Sequence, residues 1–132
     1  MTQEHKELLL KDLCARLQYG VKCKSKYFDN DTLSGIIVDE EETMFNFSVN
    51  NEGFITQLCC SEFKPYLFPL SSMNEEQKII YGDLCYDIIH SLAWDMQAAL
   101  NELVDWLNKN HFDYNNLIPK GLAIDATGLN IY

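Results

Sequence analysis

The spacing of apolar residues changes from a helical to a strand-like period early in this chain, and this change constrains the fold more than any other feature of the sequence. In residues 3–17, leucines recur at intervals of three and four positions, as on one face of an α-helix. From Val21 to Tyr27 every second residue is a lysine, which is typical of a strand with one face in water. The sequence therefore predicts an N-terminal helix followed by a sheet.

Three further segments have the composition of strands. They are GIIVD (35–39), TMFNFSV (43–49) and FITQLCC (54–60), and turn-forming residues such as those of NNEG separate them. With the first strand they predict a four-stranded antiparallel meander. Pro65 and Pro69 interrupt the next segment, EFKPYLFPLSSM (62–73), and proline lacks the backbone N–H that a central strand donates. We therefore expect this segment to cross the surface as an extended linker.

Two helices are predicted in the second half of the chain. Ser72 and Glu75 form an S-x-x-E pattern, the signature of a capping box, so a helix is expected from there to about Leu92. Its predicted buried face consists of Ile80, Leu84, Cys85, Ile88, Ile89 and Leu92. A second helix is expected from about Asp95 to Asn110. Its apolar stripe consists of Met96, Leu100, Leu103, Val104 and Leu107.

The C-terminal segment, HFDYNNLIPKGLAIDATGLNIY (111–132), is more apolar than most chain ends. Its aliphatic residues are Ile118, Leu122, Ile124, Leu129 and Ile131. Such side chains need cover from water, and Gly121 and Gly128 supply positions at which the backbone can bend. We therefore expect this segment to fold back as a short strand or extended segment.

These elements predict one α+β domain that spans residues 1–132. It comprises an N-terminal helix, a four-stranded antiparallel sheet, two C-terminal helices on one sheet face, and an extended C-terminal segment packed back against the body.

The charge of the chain bears on its partners. It carries 20 acidic and 10 basic residues, for a formal net charge of −10. Because phosphate groups repel such a surface, we expect no direct binding of nucleic acid. No apolar run approaches the roughly 20 residues of a membrane helix, and charges flank the apolar stretch near Met1, so neither a membrane span nor a signal peptide is expected. The expected localisation is cytoplasmic.

The five cysteines are interpreted as reduced structural thiols. Their number is odd, no C-x-x-C pair occurs, and the adjacent Cys59 and Cys60 would point to opposite faces of a strand. No nucleotide-binding loop or other cofactor motif is present, so no cofactor is expected.

Two groups of residues are candidates for metal binding or for catalysis. Asp83, Asp87 and His90 share one helical face and include a D-x-x-H pair that could bind a divalent metal, although a polar face in water is the alternative interpretation. His111 and Asp113 are candidate catalytic residues, and a hydrogen-bonded histidine at a helix end is the alternative there.

Aromatic residues at predicted loops and helix ends indicate interaction with a protein, because aromatic side chains are enriched in interfaces. The candidate partner-binding residues are Tyr66, Phe68, Trp94, Tyr114 and Tyr132. Packing inside the fold is the alternative interpretation for many of them.

Three blocks of the sequence carry a resemblance. DLCARLQYGVK, FKPYLFPLSSM and HFDYNNLIPKGLAIDATGLNIY resemble a family of small uncharacterised proteins that recurs in gut Bacteroidales, their mobile elements and their phages. The blocks cover about a third of the chain, and the stretch from Ile79 to Ala99 has no such likeness. The family has no assigned activity and no catalytic residues to carry over. The resemblance implies a prokaryotic or phage setting in the cytosol.

From these observations we expect a non-enzymatic accessory protein of a bacterial mobile element or phage that acts by binding a protein partner. One alternative is an acidic inhibitor, or a mimic of DNA, that occupies a basic site on a host defence or nucleic-acid enzyme. The other is a small hydrolase or metal-dependent enzyme.

Overall fold

The computed structural model describes residues 1–49, 54–91 and 95–132. Three α-helices and seven strands occur in these ranges. The helices are α1 (Gln3–Arg16), α2 (Glu75–His90) and α3 (Met96–Lys109), and short 3₁₀ helices span Leu17–Tyr19 and Leu70–Ser72. The strands are β1 (Lys22–Ser25), β2 (Asp31–Val38), β3 (Thr43–Val49), β4 (Phe54–Leu58), β5 (Phe63–Pro69), β6 (Phe112–Asp113) and β7 (Ile124–Asp125).

The strands form one mixed sheet in the order β4-β3-β2-β1-β5-β6, and β7 also pairs with β5. The pairs from β4 to β5 are antiparallel, whereas β6 and β7 run parallel to β5. The α+β class is therefore confirmed. The predicted four-stranded sheet is wrong, because the linker and two parts of the C-terminal segment add three strands.

The expected linker is a central strand, β5, despite its two prolines. Pro65 pairs with Cys23 at the last position of the β1–β5 ladder. From the next residue onward β5 pairs with the C-terminal strands, beginning with Tyr66 opposite Ile124. The missing N–H of Pro65 therefore lies where the strand changes partners, and Pro69 ends the strand.

The main core lies between the sheet and a cover that consists of α1 and the C-terminal segment. Its buried side chains include Leu9, Leu13, Phe45, Phe47, Leu67, Leu117 and Leu122. The two C-terminal helices, which were expected on one sheet face, belong to a second cluster around Met73, Leu107 and Phe112. There α2 and α3 pack on each other and on the end of β5.

The helix termini follow local sequence signals. The Thr2 hydroxyl accepts a hydrogen bond from the His5 amide at the start of α1, as an N-cap does. The capping box of α2 is formed by Asn74 and Gln77 rather than by Ser72 and Glu75. Ser72 lies in the preceding 3₁₀ turn and its hydroxyl donates to the Pro69 carbonyl, so Asn74 is the first residue free to cap the helix.

A buried ion pair joins α1 to the C-terminal part of the chain. The Arg16 guanidinium contacts the Asp12 carboxylate at 2.8 Å, and both side chains are fully buried. Arg16 also donates to the Phe112 carbonyl at 2.6 Å, and the Asn115 amide donates to Asp12 at 2.8 Å. Two charges are thus held inside the fold by partners from both halves of the chain.

The C-terminal segment folds back as expected. The Asp113 carboxylate accepts hydrogen bonds from the Leu117 and Ile118 amides at 2.8 and 2.9 Å, and the segment turns at Gly121 and Gly128, whose φ angles are 74° and 77°. The Ala126 amide then donates to the Leu67 carbonyl of β5 at 2.8 Å. Within the described ranges, no helix has both the length and the apolar character needed to cross a bilayer.

Candidate functional site

The outward side of α2 carries large apolar residues that contact little of the fold. Ile79, Tyr86 and Ile89 are 65 %, 61 % and 77 % exposed. Together with Gly82 they recur at intervals of three, four and three residues, so they form one stripe along the helix, which we call the α2 stripe. Leu84, on the opposite side, is the buried residue that anchors α2.

The sequence of α2 explains how so apolar a surface remains helical. The capping box fixes the start, where Glu75 and Glu76 favour the positive end of the helix dipole. Of the other fourteen residues only Gln77, Lys78 and Leu84 are strong helix formers, so the cap at the start and the burial of Leu84 contribute to holding α2 helical. The stripe is therefore presented on a regular helix of 16 residues.

The two C-terminal helices, α2 and α3, are acidic. Six exposed carboxylates lie on α2 and α3, against two exposed lysines. The carboxylates belong to Glu75, Glu76, Asp83, Asp87, Glu102 and Asp105, and the lysines are Lys78 and Lys109. Lys78 contacts Glu75 at 3.2 Å, which neutralises part of the charge at the helix start. On α2 itself, Asp83 and Asp87 lie beside the α2 stripe, so its apolar side chains adjoin negative charge along one side.

Asp83, Asp87 and His90, the candidate metal residues, all lie exposed on α2 beside the stripe. The His90 ring lies over the Tyr86 ring with centroids 4.0 Å apart. Among the described residues, no three histidine, cysteine or acidic side chains are grouped so that they could hold a metal ion.

His111, a candidate catalytic residue, lies at the end of α3 with its ring stacked on Tyr132 at a centroid distance of 3.6 Å. Burial, together with the positive charges of Arg16 and Lys22, lowers the pKa of His111 to about 4. Its φ of 62° is unusual for a residue other than glycine. The imidazole is therefore held neutral at neutral pH in a constrained position.

An open cavity of about 340 Å³ adjoins His111. Lys109, Thr127 and Tyr132 contribute to its wall, and no carboxylate or thiol is among its described lining residues. Asp113, the other candidate catalytic residue, is buried, and its two oxygens accept the Leu117 and Ile118 amides. These bonds give Asp113 a structural role in the turn that leads to Leu117 and Ile118. A catalytic role for His111 or Asp113 stays a prediction.

Four of the five candidate partner-binding aromatics are engaged within the fold. The Tyr66 hydroxyl donates to the Asp29 carbonyl at 2.7 Å, and the Phe68 ring packs against Phe112 and Tyr132. The Tyr114 hydroxyl donates to the Asn108 side chain at 2.8 Å. Trp94, the fifth, lies outside the described residues.

Tyr132 closes the gap where β1 and β5 separate. Its hydroxyl accepts from the Lys22 amide at 2.9 Å and donates to the Tyr66 carbonyl at 2.8 Å. Burial of this hydroxyl raises the pKa of Tyr132, although the residue as a whole is 42 % exposed. These contacts account for Tyr132 as part of the fold, and its role in partner binding stays a prediction.

Sequence reasoning did not identify the α2 stripe. It assigned Ile80 and Ile89 to the buried side of the helix, whereas both are exposed. A signal was present, because the 3-4-3 spacing of Ile79, Gly82, Tyr86 and Ile89 forms a second apolar face opposite Leu84 and Ile88.

Comparison of the chain with protein-family models, with curated proteins and with solved structures gave no match.

Proposed function

We propose that this chain is a non-enzymatic binding protein and that its α2 stripe contacts a protein partner. The observation that carries the proposal is the exposure of Ile79, Tyr86 and Ile89 on one side of one helix. Contiguous apolar surface with a polar border is typical of protein-binding sites, whereas singly scattered apolar residues are ordinary. Tyrosine and isoleucine in such a patch supply the apolar area that a partner would bury.

The sequence also supports a setting for this activity. The three sequence blocks that resemble proteins of Bacteroidales, their mobile elements and their phages favour an accessory protein of such an element. The partner would then be a protein of the bacterial host or of the phage.

An acidic inhibitor or DNA mimic is the second candidate, and the six exposed carboxylates of α2 and α3 favour it. Under the two candidate functions, different residues contribute most of the binding free energy. A DNA mimic depends on Asp83 and Asp87 and tolerates a polar residue at position 89, whereas an apolar contact depends on Ile79 and Ile89.

Photo-crosslinking in the cell of origin tests the proposal. Benzoylphenylalanine replaces Tyr86 in the stripe or, as a control, the similarly exposed Tyr27 after β1. We expect a protein adduct from position 86 that is missing from position 27 and is lost in the I79E/I89E background. The same adduct from both positions, or an adduct that survives the double substitution, contradicts the proposal.

A further inference from the structure

Gly82 lies in the middle of the α2 stripe, and the described part of the fold gives no reason for a glycine there. A Cβ atom added to Gly82 would have no atom within 4 Å, and the backbone φ is not positive. Glycine inside a helix is less stable than alanine because its backbone loses more conformational freedom. The residue therefore destabilises α2 without relieving any close contact within the described chain.

The spacing of the stripe gives Gly82 a use. Intervals of three, four and three residues are those of the a and d positions at which two helices pack side by side. In such a seam, a glycine leaves a gap between Ile79 and Tyr86 that can take a large side chain of the opposite helix. The α2 stripe thus has the form of one half of a helix pair.

The charges beside the α2 stripe indicate which kind of helix would pack against it. Four exposed carboxylates and one exposed lysine give α2 a formal net charge of −3, with histidine counted as neutral. A second copy of the chain would place the same carboxylates opposite them, and each copy carries a net charge of −10. A helix flanked by lysine or arginine would instead place positive charge opposite Asp83 and Asp87, which lie one turn apart beside the α2 stripe.

We infer that the α2 stripe binds a basic amphipathic helix of a partner protein, with one large apolar side chain of that helix seated over Gly82. This inference rests on the proposed function of the stripe and specifies the chemistry of the partner. The carboxylates orient the basic helix and speed its association, and the isoleucines and Tyr86 supply the apolar contact.

Two synthetic helical peptides, each about three heptads long, serve as probes. Both carry leucine at the a and d positions, and they differ in having lysine or glutamate at the flanking positions. Binding of each labelled peptide to the full chain is followed by fluorescence anisotropy at low and moderate salt. The chain is used as wild type, G82A, I89E and I55E, and the last is a matched control because Ile55 in β4 is 64 % exposed.

We expect the lysine peptide to bind at least about tenfold more tightly than the glutamate peptide, and added salt to weaken it. G82A should weaken binding of the lysine peptide by about tenfold while it raises the thermal midpoint of the free chain, because alanine favours the helix but fills the gap. I89E should abolish binding, and I55E should leave it unchanged.

Several results would overturn the inference. These are equal binding of the two peptides, undiminished binding of the lysine peptide by G82A, or an equal loss of peptide binding in I89E and I55E. A chain dimer in sedimentation that I89E dissociates would assign the stripe to a second copy. If the crosslink from position 86 forms while the lysine peptide does not bind, the basic helix is wrong and the binding function stands. If neither occurs, both fail.

Discussion

The imidazole of His111 lies stacked on the phenol ring of Tyr132, with the planes inclined by 12°. The contact joins the end of α3 to the last residue of the sequence. Burial lowers the pKa of His111 from the ordinary 6.5 to about 4. Between these two pH values the imidazole is protonated in the unfolded chain and neutral in the folded chain. This difference makes the stability of the fold depend on pH.

The first prediction concerns that dependence. Between pH 6.5 and 4 the unfolded chain binds more protons at His111, so the free energy of unfolding falls as the pH is lowered through this window. Since the ring is partly exposed, we expect a loss of only about 1 kcal/mol from this group. The measurement is denaturant unfolding as a function of pH for wild type and for H111N, because asparagine tolerates the positive φ.

Other groups that titrate in this range contribute equally to both proteins, so the informative quantity is the difference between the two curves. We expect wild type to lose stability relative to H111N as the pH is lowered. Parallel curves would show that His111 titrates normally in the folded chain.

A second prediction concerns the hydroxyl of Tyr132. In Y132F the Lys22 amide and the Tyr66 carbonyl lose their shared partner, and we expect a loss of about 1–3 kcal/mol in the free energy of unfolding. The exposed Tyr86 is the matched control, since Y86F removes a hydroxyl with no such bridge. Equal stability of Y132F and Y86F would contradict the role assigned to Tyr132.

The periodic elements of this fold could be predicted from sequence, and the elements that depend on distant partners could not. The leucine spacing of α1 and the alternation of β1 identify those elements locally. β6 and β7 have two residues each, too few for any period. β5 contains Pro65, which is the last residue of the β1–β5 ladder, and its position there depends on where β1 separates from β5.

The candidate site was missed for a related reason. α2 carries isoleucine on several sides, at positions 79, 80, 88 and 89, so its pattern does not specify which side is buried. Packing of Tyr81 against Trp106 of α3 helps to set that choice, and this contact joins residues that are distant in sequence. Exposure of Ile79 and Ile89 is therefore a property of the tertiary structure.

The third prediction compares a buried and an exposed ion pair. D12A leaves the fully buried Arg16 without its partner, and we expect a loss of about 3–5 kcal/mol. K78A removes an exposed pair and should change the free energy of unfolding by less than about 1 kcal/mol. Chemical denaturation of the two variants checks the difference, and similar losses in both would contradict the buried arrangement.

The fourth prediction concerns the C-terminal segment. Leu117, Leu122 and Ala126 are buried against the body, so deletion of residues 117–132 should leave a chain that unfolds or aggregates. Hydrogen exchange on the intact chain tests the same packing without a deletion. The Leu122 and Ala126 amides, which donate to Leu117 and Leu67, should be protected, and exchange of both within seconds would instead indicate a free tail.

The most direct test of the account is the free energy of unfolding of I79E and I89E, measured beside L84A on the opposite side of α2. If the α2 stripe is exposed in the free chain and available to a partner, the free energy of unfolding of both glutamate variants stays within about 0.5 kcal/mol of wild type. That of L84A falls by about 2–5 kcal/mol. Losses of more than about 2 kcal/mol in I79E and I89E would place these isoleucines inside the fold and contradict the assignment of the stripe to binding.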